Sequence, residues 1–210
     1  MRIYFVRHGE SEENVLRRFS NRSLGYGLTM RGINEATELS VKLGNLRVAR
    51  IFSSPLLRAV QTAEVLSDHL HASVEPVEAL REYDCGTVEG KSDVQSWDLY
   101  DRVARDWLGG RWKSRIEEGE SFLDIKVRFI PFVEEIVSRY NDSSDSVVIV
   151  GHGGLYRHML PLILENVSFG FPFKHPIGNT DIVVAEPKGR GLVCVSWCGI
   201  VSDHFSDSDC

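Results

Sequence analysis

Two histidines of this chain stand in the same local setting. His8 comes just after the apolar run at residues 3–6 and Arg7, and Gly9 follows at once. His152 comes just after the apolar run at residues 147–150 and Gly151, and Gly153 and Gly154 follow. Continuous apolar runs rich in β-branched residues read as buried strands. Each imidazole then lies just beyond a strand end, where open α/β sheets bind ligands. The glycines let backbone approach a ligand closely, and the helix N-terminus ahead favours an anion. Arg7 sits beside His8, Arg58 begins the helix after Ser53-Ser54-Pro55, and Glu82 follows a strand at Val74. Singly, each has a plainer role: a structural histidine, an arginine pairing an acid, a solvated loop glutamate. Jointly they describe two imidazoles, two guanidiniums and one carboxylate around an anion, provided that the two strands are neighbours.

Those groups need elements to hold them. Ser11 caps a short helix with Glu12 and Glu13 in its first turn, where acids suit the dipole. Residues 20–28 form a polar, glycine-bearing loop. Thr29 caps a helix with Ile33, Ala36, Leu39, Val41, Leu43 and Leu46 at roughly helical spacing. Residues 50–53 and 74–77 read as short strands, with a helix over 57–70 between them. Residues 82–90 are a loop, and 93–108 a helix ended by Gly109-Gly110. Residues 121–140 are a long amphipathic segment in which Pro131 predicts a kink or a split. A polar turn at 141–145 precedes the second histidine strand, and a helix over 155–164 follows it. Residues 181–185 and 192–197 pair as terminal strands through a turn at 187–191. This alternation predicts a three-layer α/β/α sandwich around a mostly parallel sheet. It is one domain over residues 1–203, with a small insertion at about 91–119 and a polar tail at 204–210.

Composition narrows the function. The 210 residues are 42% hydrophobic and 26% charged, which argues against disordered, collagen-like or coiled-coil chains. A chain this long buries roughly 70% of its unfolded surface, so it needs no disulfide or metal staple. The net charge of −6 argues against nucleic acid or anionic membrane as partner, so an anionic ligand needs a local basic pocket. Cys85, Cys194, Cys198 and Cys210 form no CxxC pair, which suits reduced thiols in a cytoplasmic setting. The N-terminal apolar run is too short for a signal-peptide core, and no stretch approaches the ~20 residues that span a bilayer. Gly90-Lys91-Ser92 lacks the earlier glycine of a P-loop, and Gly25-x-Gly27 lacks the third glycine of a dinucleotide fingerprint. Arginines flanking His8 and His152 disfavour zinc, so neither metal nor cofactor is expected.

Four motifs, in order, carry a resemblance. Arg7-His8-Gly9-Glu10-Ser11 with Asn14 resembles the RHG signature of the histidine phosphatase superfamily, the phosphoglycerate-mutase-like family. Ser53-Ser54-Pro55-Leu56-Leu57-Arg58-Ala59-Val60-Gln61-Thr62-Ala63 resembles its second motif. Leu80-Arg81-Glu82 with Gly86 and Glu89-Gly90 is similar to its third, and Gly151-His152-Gly153-Gly154 to its fourth. Asn179-Thr180 is a weaker match. The resemblance implies a phosphoglycerate-mutase-like fold and metal-free phosphoryl transfer through a phosphohistidine. His8 is then the nucleophile and Glu82 the proton shuttle. Arg7 and Arg58 supply planar forks for phosphate, with Asn14 and a protonated His152 as further donors. His8 must attack as neutral imidazole, its other nitrogen donating to a carbonyl expected in the Gly9 turn. Glu82 needs a raised pKa, which phosphate charge nearby would provide.

Length separates the reactions of that family. Cofactor-dependent mutases run longer, with a larger insertion and a tail over the site. The short insertion here favours the phosphatase branch: a histidine acid phosphatase-type phosphomonoesterase acting on small phosphorylated metabolites. A phosphoglycerate-type mutase, or a catalytically silent phosphate-binding or interaction module, is the alternative. The presence of Arg7, His8, Arg58, Glu82 and His152 together speaks against the silent module. Ser20, Asn21, Arg22 and Gly153 join Asn14 as candidate substrate contacts. Ser20-Asn21-Arg22 departs from the commoner Gln-Gly-Trp, and Arg22 either selects an extra anionic group or points outward. Trp107, Arg111, Trp112, Lys113 and Arg115 of the insertion belong either to a lid or to a solvated helix with buried tryptophans. The expected partner is a small phosphorylated substrate, with no nucleic acid and no membrane; a homodimer is left open.

Overall fold

The computed structural model describes residues 1–22, 25–141, 143–189 and 191–206. Parts of the 20–28 loop, of the turns at 141–145 and 187–191, and of the 204–210 tail lie outside the described residues. Six strands form one sheet in the order β3-β2-β4-β1-β5-β6. β1 (Ile3–Arg7), β2 (Val48–Ser53), β3 (Val74–Pro76) and β4 (Ser146–Gly151) run parallel. β5 (Ile182–Lys188) pairs antiparallel with β1, and β6 (Gly191–Trp197) antiparallel with β5. The histidine strands are therefore neighbours, with Val6 opposite Val150 and Arg7 opposite Gly151.

The period of two divides each central strand between two cores. Tyr4, Val6, Ile51, Val148 and Val150 face Leu39 and Leu43 of α2 (Met30–Leu43) and Ala59, Ala63 and Leu66 of α3 (Leu57–Leu70). Ile3, Phe5, Phe52, Val147 and Ile149 face the opposite core. That core is closed by α4 (Val94–Leu108), α5 (Phe122–Tyr140) and α6 (Gly153–Ile163). Apolar residues on both sheet faces require helices on both, which is the three-layer sandwich.

Local departures have local causes. α5 runs unsplit through Pro131, because Ile125, Phe129, Val133 and Ile136 bury one stripe across both halves. α6 begins at Gly153, two residues before its apolar run, with His152 as its extended N-cap. α7 (Phe171–Lys174) was not anticipated; its single turn is too short to show a period. Short 3-10 turns at Glu78–Leu80 and Gly86–Val88 shape the loop that carries Glu82. α1 (Glu12–Leu16) follows β1, capped by Ser11. Among the described residues, no helix is long and apolar enough to cross a membrane.

Candidate active site

The site lies beyond the carboxyl ends of β1, β4 and β2. The backbone of His8 is pinned from two sides. Its N–H donates to the Gly151 carbonyl (3.1 Å), and its carbonyl accepts from Asn179 Nδ2 (3.0 Å). Its ring Nδ1 lies 2.7 Å from the Gly9 carbonyl, the acceptor that the sequence places in that turn. The carbonyl fixes the proton on Nδ1 and leaves the Nε2 lone pair free. That lone pair faces Arg58, whose Nε–H donates to it at 3.3 Å. Gly9 is held in turn by Thr62, one turn beyond Arg58 on α3 (3.1 Å). Burial first, then the charges of Arg58 and Arg7, hold His8 well below the ordinary histidine value, so it stays neutral.

Arg58 is buried, and its donors are shared out. Nη1 donates to the Ser20 carbonyl (3.0 Å) and lies 2.7 Å from Glu13 Oε1. Nη2 reaches Asn21 Oδ1 at 3.4 Å. Arg7 donates through Nη1 to the Ile177 carbonyl (2.8 Å), while its Nε is buried without a partner. His152 packs against His8, ring centroids 5.1 Å apart. Its Nε2 is 2.7 Å from Ser54 Oγ, and its Nδ1 is buried without a partner. Burial, with Arg58 beside it, keeps His152 neutral as well. The donor expected of a protonated His152 therefore requires an arriving anion to offset two neighbouring guanidiniums.

Glu82 is half-buried, and both its oxygens accept backbone N–H groups: Oε1 from Tyr83 (3.0 Å) and Oε2 from Gly154 (2.8 Å). Burial raises its pKa; the two hydrogen bonds and Arg58 only partly oppose that. The cause is desolvation by the protein itself rather than phosphate charge. Asn14 Oδ1 accepts from Ser11 N–H (3.3 Å) and Asn179 Nδ2 (3.2 Å), so its amide NH₂ is the end left to donate. His8, Arg7, Arg58, Glu82, Asn14, Asn21 and Gly153 line one pocket of about 380 Å³. The arrangement offers a neutral imidazole nucleophile, an acid held protonated above the usual range, and a cluster of cationic and N–H donors.

The histidine phosphatase superfamily (branch 1) matches this chain over residues 3–199. The chain belongs to that family. It is similar to a protein of Hydrogenobacter thermophilus named "Putative phosphoserine phosphatase 2", 32% identical over 189 residues, 90% of this chain and 91% of that one. It is also 30% identical over 175 residues to a 6-phosphofructo-2-kinase/fructose-2,6-bisphosphatase of Aquarana catesbeiana, covering 81% of this chain but 34% of that longer one. Among solved structures, it resembles mycobacterial glucosyl-3-phosphoglycerate phosphatase in complex with VO3. The TM-score is 0.78 and the identity 26%, covering 93% of this chain and 98% of that one. Reactions of this family run through a phosphohistidine, and this histidine phosphatase is a phosphatase-type enzyme.

The remaining candidates divide. Ser20 lends the site its carbonyl; its buried hydroxyl has no partner and does not line the pocket. Asn21 is held by the Tyr83 carbonyl and Cys85 Sγ and presents its oxygen to Arg58. Arg22 leaves the pocket: its Nε is 2.8 Å from each carboxylate oxygen of Asp84, and its Nη2 donates to the Glu118 carbonyl. It is paired at the surface and does not line the pocket. In the insertion, Trp107 is core, Trp112 stacks on Phe122, and Arg111 and Lys113 line a separate hollow. Trp97, Tyr100 and Asp101 of the same segment do line the site.

Glu13 reads from sequence only as a first-turn acid suited to the helix dipole; the structure buries it against Arg58 inside the pocket. The single-turn α1 gave no face from which to foresee that. Asn179 was foreshadowed by its weaker motif match, and Thr62 and Ser54 by lying within the second motif.

Proposed function

We propose that this histidine phosphatase is a metal-independent phosphomonoesterase of acid-phosphatase type, acting on small phosphorylated metabolites through a phosphohistidine on His8. One observation carries the reading: Nδ1 of His8 is tied to the Gly9 carbonyl at 2.7 Å while Nε2 faces the Arg58 guanidinium at 3.3 Å. In the first step the Nε2 lone pair bonds to phosphorus and the phosphorus–oxygen bond to the leaving group breaks. Glu82 gives its proton to the departing alkoxide. In the second, water loses a proton to Glu82 and attacks phosphorus. The nitrogen–phosphorus bond breaks, inorganic phosphate leaves, and His8 is neutral again. Charge on the transferring phosphoryl oxygens is met by Arg7, Arg58, Asn14 and His152. The acidic net charge argues against nucleic-acid or membrane partners, and the unpaired cysteine spacing suits a cytoplasmic enzyme.

The test is phosphate release from a panel of phosphomonoesters in excess EDTA, with His8→Ala alongside. Release by the wild type, with none from His8→Ala and no trapped phosphoenzyme, is the expected result. Normal turnover by His8→Ala would remove the nucleophile assignment. Activity lost in EDTA and restored only by a divalent ion would overturn the metal-free reading. Isomerisation of phosphoglycerate without phosphate release would make the protein a mutase.

A further inference from the structure

Several arginines of this protein are held by carboxylates: Arg22 by Asp84, Arg81 by Glu78, Arg111 by Asp106, Arg128 by Glu120. Among the described residues, those outside the active-site pocket that make no ion pair, Arg50, Arg102, Arg105 and Arg139, are scattered over β2, α4 and α5. Four arginines lining the active-site pocket are different. Arg7, Arg17, Arg18 and Arg157 have no ion-pair partner among the described residues. Arg7 belongs to the His8 cluster, but the other three lie outside it. Arg17 and Arg18 follow α1, the helix that presents Asn14; Arg157 stands one turn beyond Gly153 on α6. Their contacts are with uncharged groups. Arg18 Nη1 donates to Tyr26 Oη (2.9 Å), Arg157 lies 5.6 Å from the Phe173 ring centroid, and Arg17 lies 5.5 Å from that of Trp97. The Nε atoms of Arg18 and Arg157 are buried with no acceptor. The charge of Arg157 also bears on Arg7, so the outer cations adjoin the phosphoryl site. Trp97 and Tyr100 of α4 wall the same space, with Asp101 exposed at its rim as the one acid from that helix in the pocket.

A guanidinium removed from water without a counter-charge is costly. Its planar fork matches carboxylate and phosphate alike. A singly phosphorylated neutral alcohol would satisfy the inner cluster and leave the outer one uncompensated. We infer that Arg18 and Arg157, with Arg17 at the rim, grip a second anionic group of the substrate, a carboxylate or a second phosphate, a few bonds from the phosphoryl group that reaches His8. This rests on His8 being the site of phosphoryl transfer.

Matched pairs test it. Wild-type kcat/KM is expected to be roughly ten- to hundredfold higher for 3-phosphoglycerate than for glycerol 3-phosphate, or for fructose 1,6-bisphosphate than for fructose 6-phosphate. The pair that responds identifies the second group. Arg18→Gln and Arg157→Gln should shrink that ratio through KM rather than kcat, and the double variant should abolish it. Equal rates within both pairs, or equal losses on both members in the variants, would overturn the inference. Should no phosphomonoester be hydrolysed, the assignment of His8 falls. Calorimetric binding of the same pairs to His8→Ala still decides the outer grip, with equal Kd values refuting it.

Discussion

His8 and Glu82 are pushed in opposite directions by the same cause. Burial disfavours charge, so it lowers the imidazole below its ordinary 6.5 and raises the carboxyl above its ordinary 4.5. The nucleophile must be neutral, which holds above the depressed His8 value. The acid must be protonated, which holds below the raised Glu82 value. The two shifts together widen the pH range over which a neutral imidazole and a protonated carboxyl coexist. Glu82→Gln should therefore slow an alkyl phosphate by about 10²-fold or more. An aryl phosphate, whose leaving group needs no proton, should slow far less, and the alkaline limb of the alkyl kcat/KM profile should vanish. Equal slowing of both esters would remove Glu82 as the acid. Glu82 as the candidate acid was legible in the motif that carries it, Leu80-Arg81-Glu82. The cause of its shift was not, since desolvation depends on what packs around it.

At the scale of elements, the site depends on β1 and β4 ending side by side and on α6 starting at once. Gly154 is where α6 meets Glu82. A Cβ built there would come within 2.7 Å of Glu82 Oε2 and 2.8 Å of a Tyr83 ring carbon, while the Gly154 N–H must still donate to that carboxylate. Gly154→Ala should displace Glu82 and lower kcat by about tenfold or more on alkyl esters. Circular dichroism should be unchanged, and an aryl phosphate should suffer less. Activity equal to wild type would mean that the carboxylate has room to shift without loss. α4 makes the complementary point. Its capping Asp93 and helical period were readable, but which side of it meets the pocket was decided by Trp107, buried against Phe122 and Tyr83. That anchor turns Trp97 and Tyr100 toward the site, whereas the arginines and Trp112 farther along the segment lie elsewhere.

Across the whole molecule, three buried histidines make folding sensitive to acid. His158 is the clearest: fully buried among Trp107, Tyr83 and Phe173, both ring nitrogens without partners, its pKa pushed down to about 3. The unfolded chain takes up that proton near 6.5 and the native state does not. Stability is therefore lost as pH falls below 6.5, by about 1.4 kcal/mol per unit from this residue, until the native value is reached. Glu13 and Glu82, with raised values, bind protons in the native state and act in the opposite sense. A comparison between proteins isolates the histidine. Between pH 7.5 and pH 5, His158→Phe should lose about 2 kcal/mol less than wild type in urea unfolding. Parallel losses would place the acid sensitivity elsewhere.

Sequence alone determined the alternation of strands and helices, the two histidines beyond apolar runs, and the ordered motifs that name the family. These are local: a strand's period, a cap and a glycine turn are written within a few neighbouring residues. Tertiary structure decided what distant residues do to one another. It buried Glu13 against Arg58, turned Arg22 outward to Asp84, raised Glu82 by desolvation, and set Arg18 and Arg157 on one pocket from distant parts of the chain. Burial and charge pairing arise from the packing of whole elements, and no spacing along the chain encodes them.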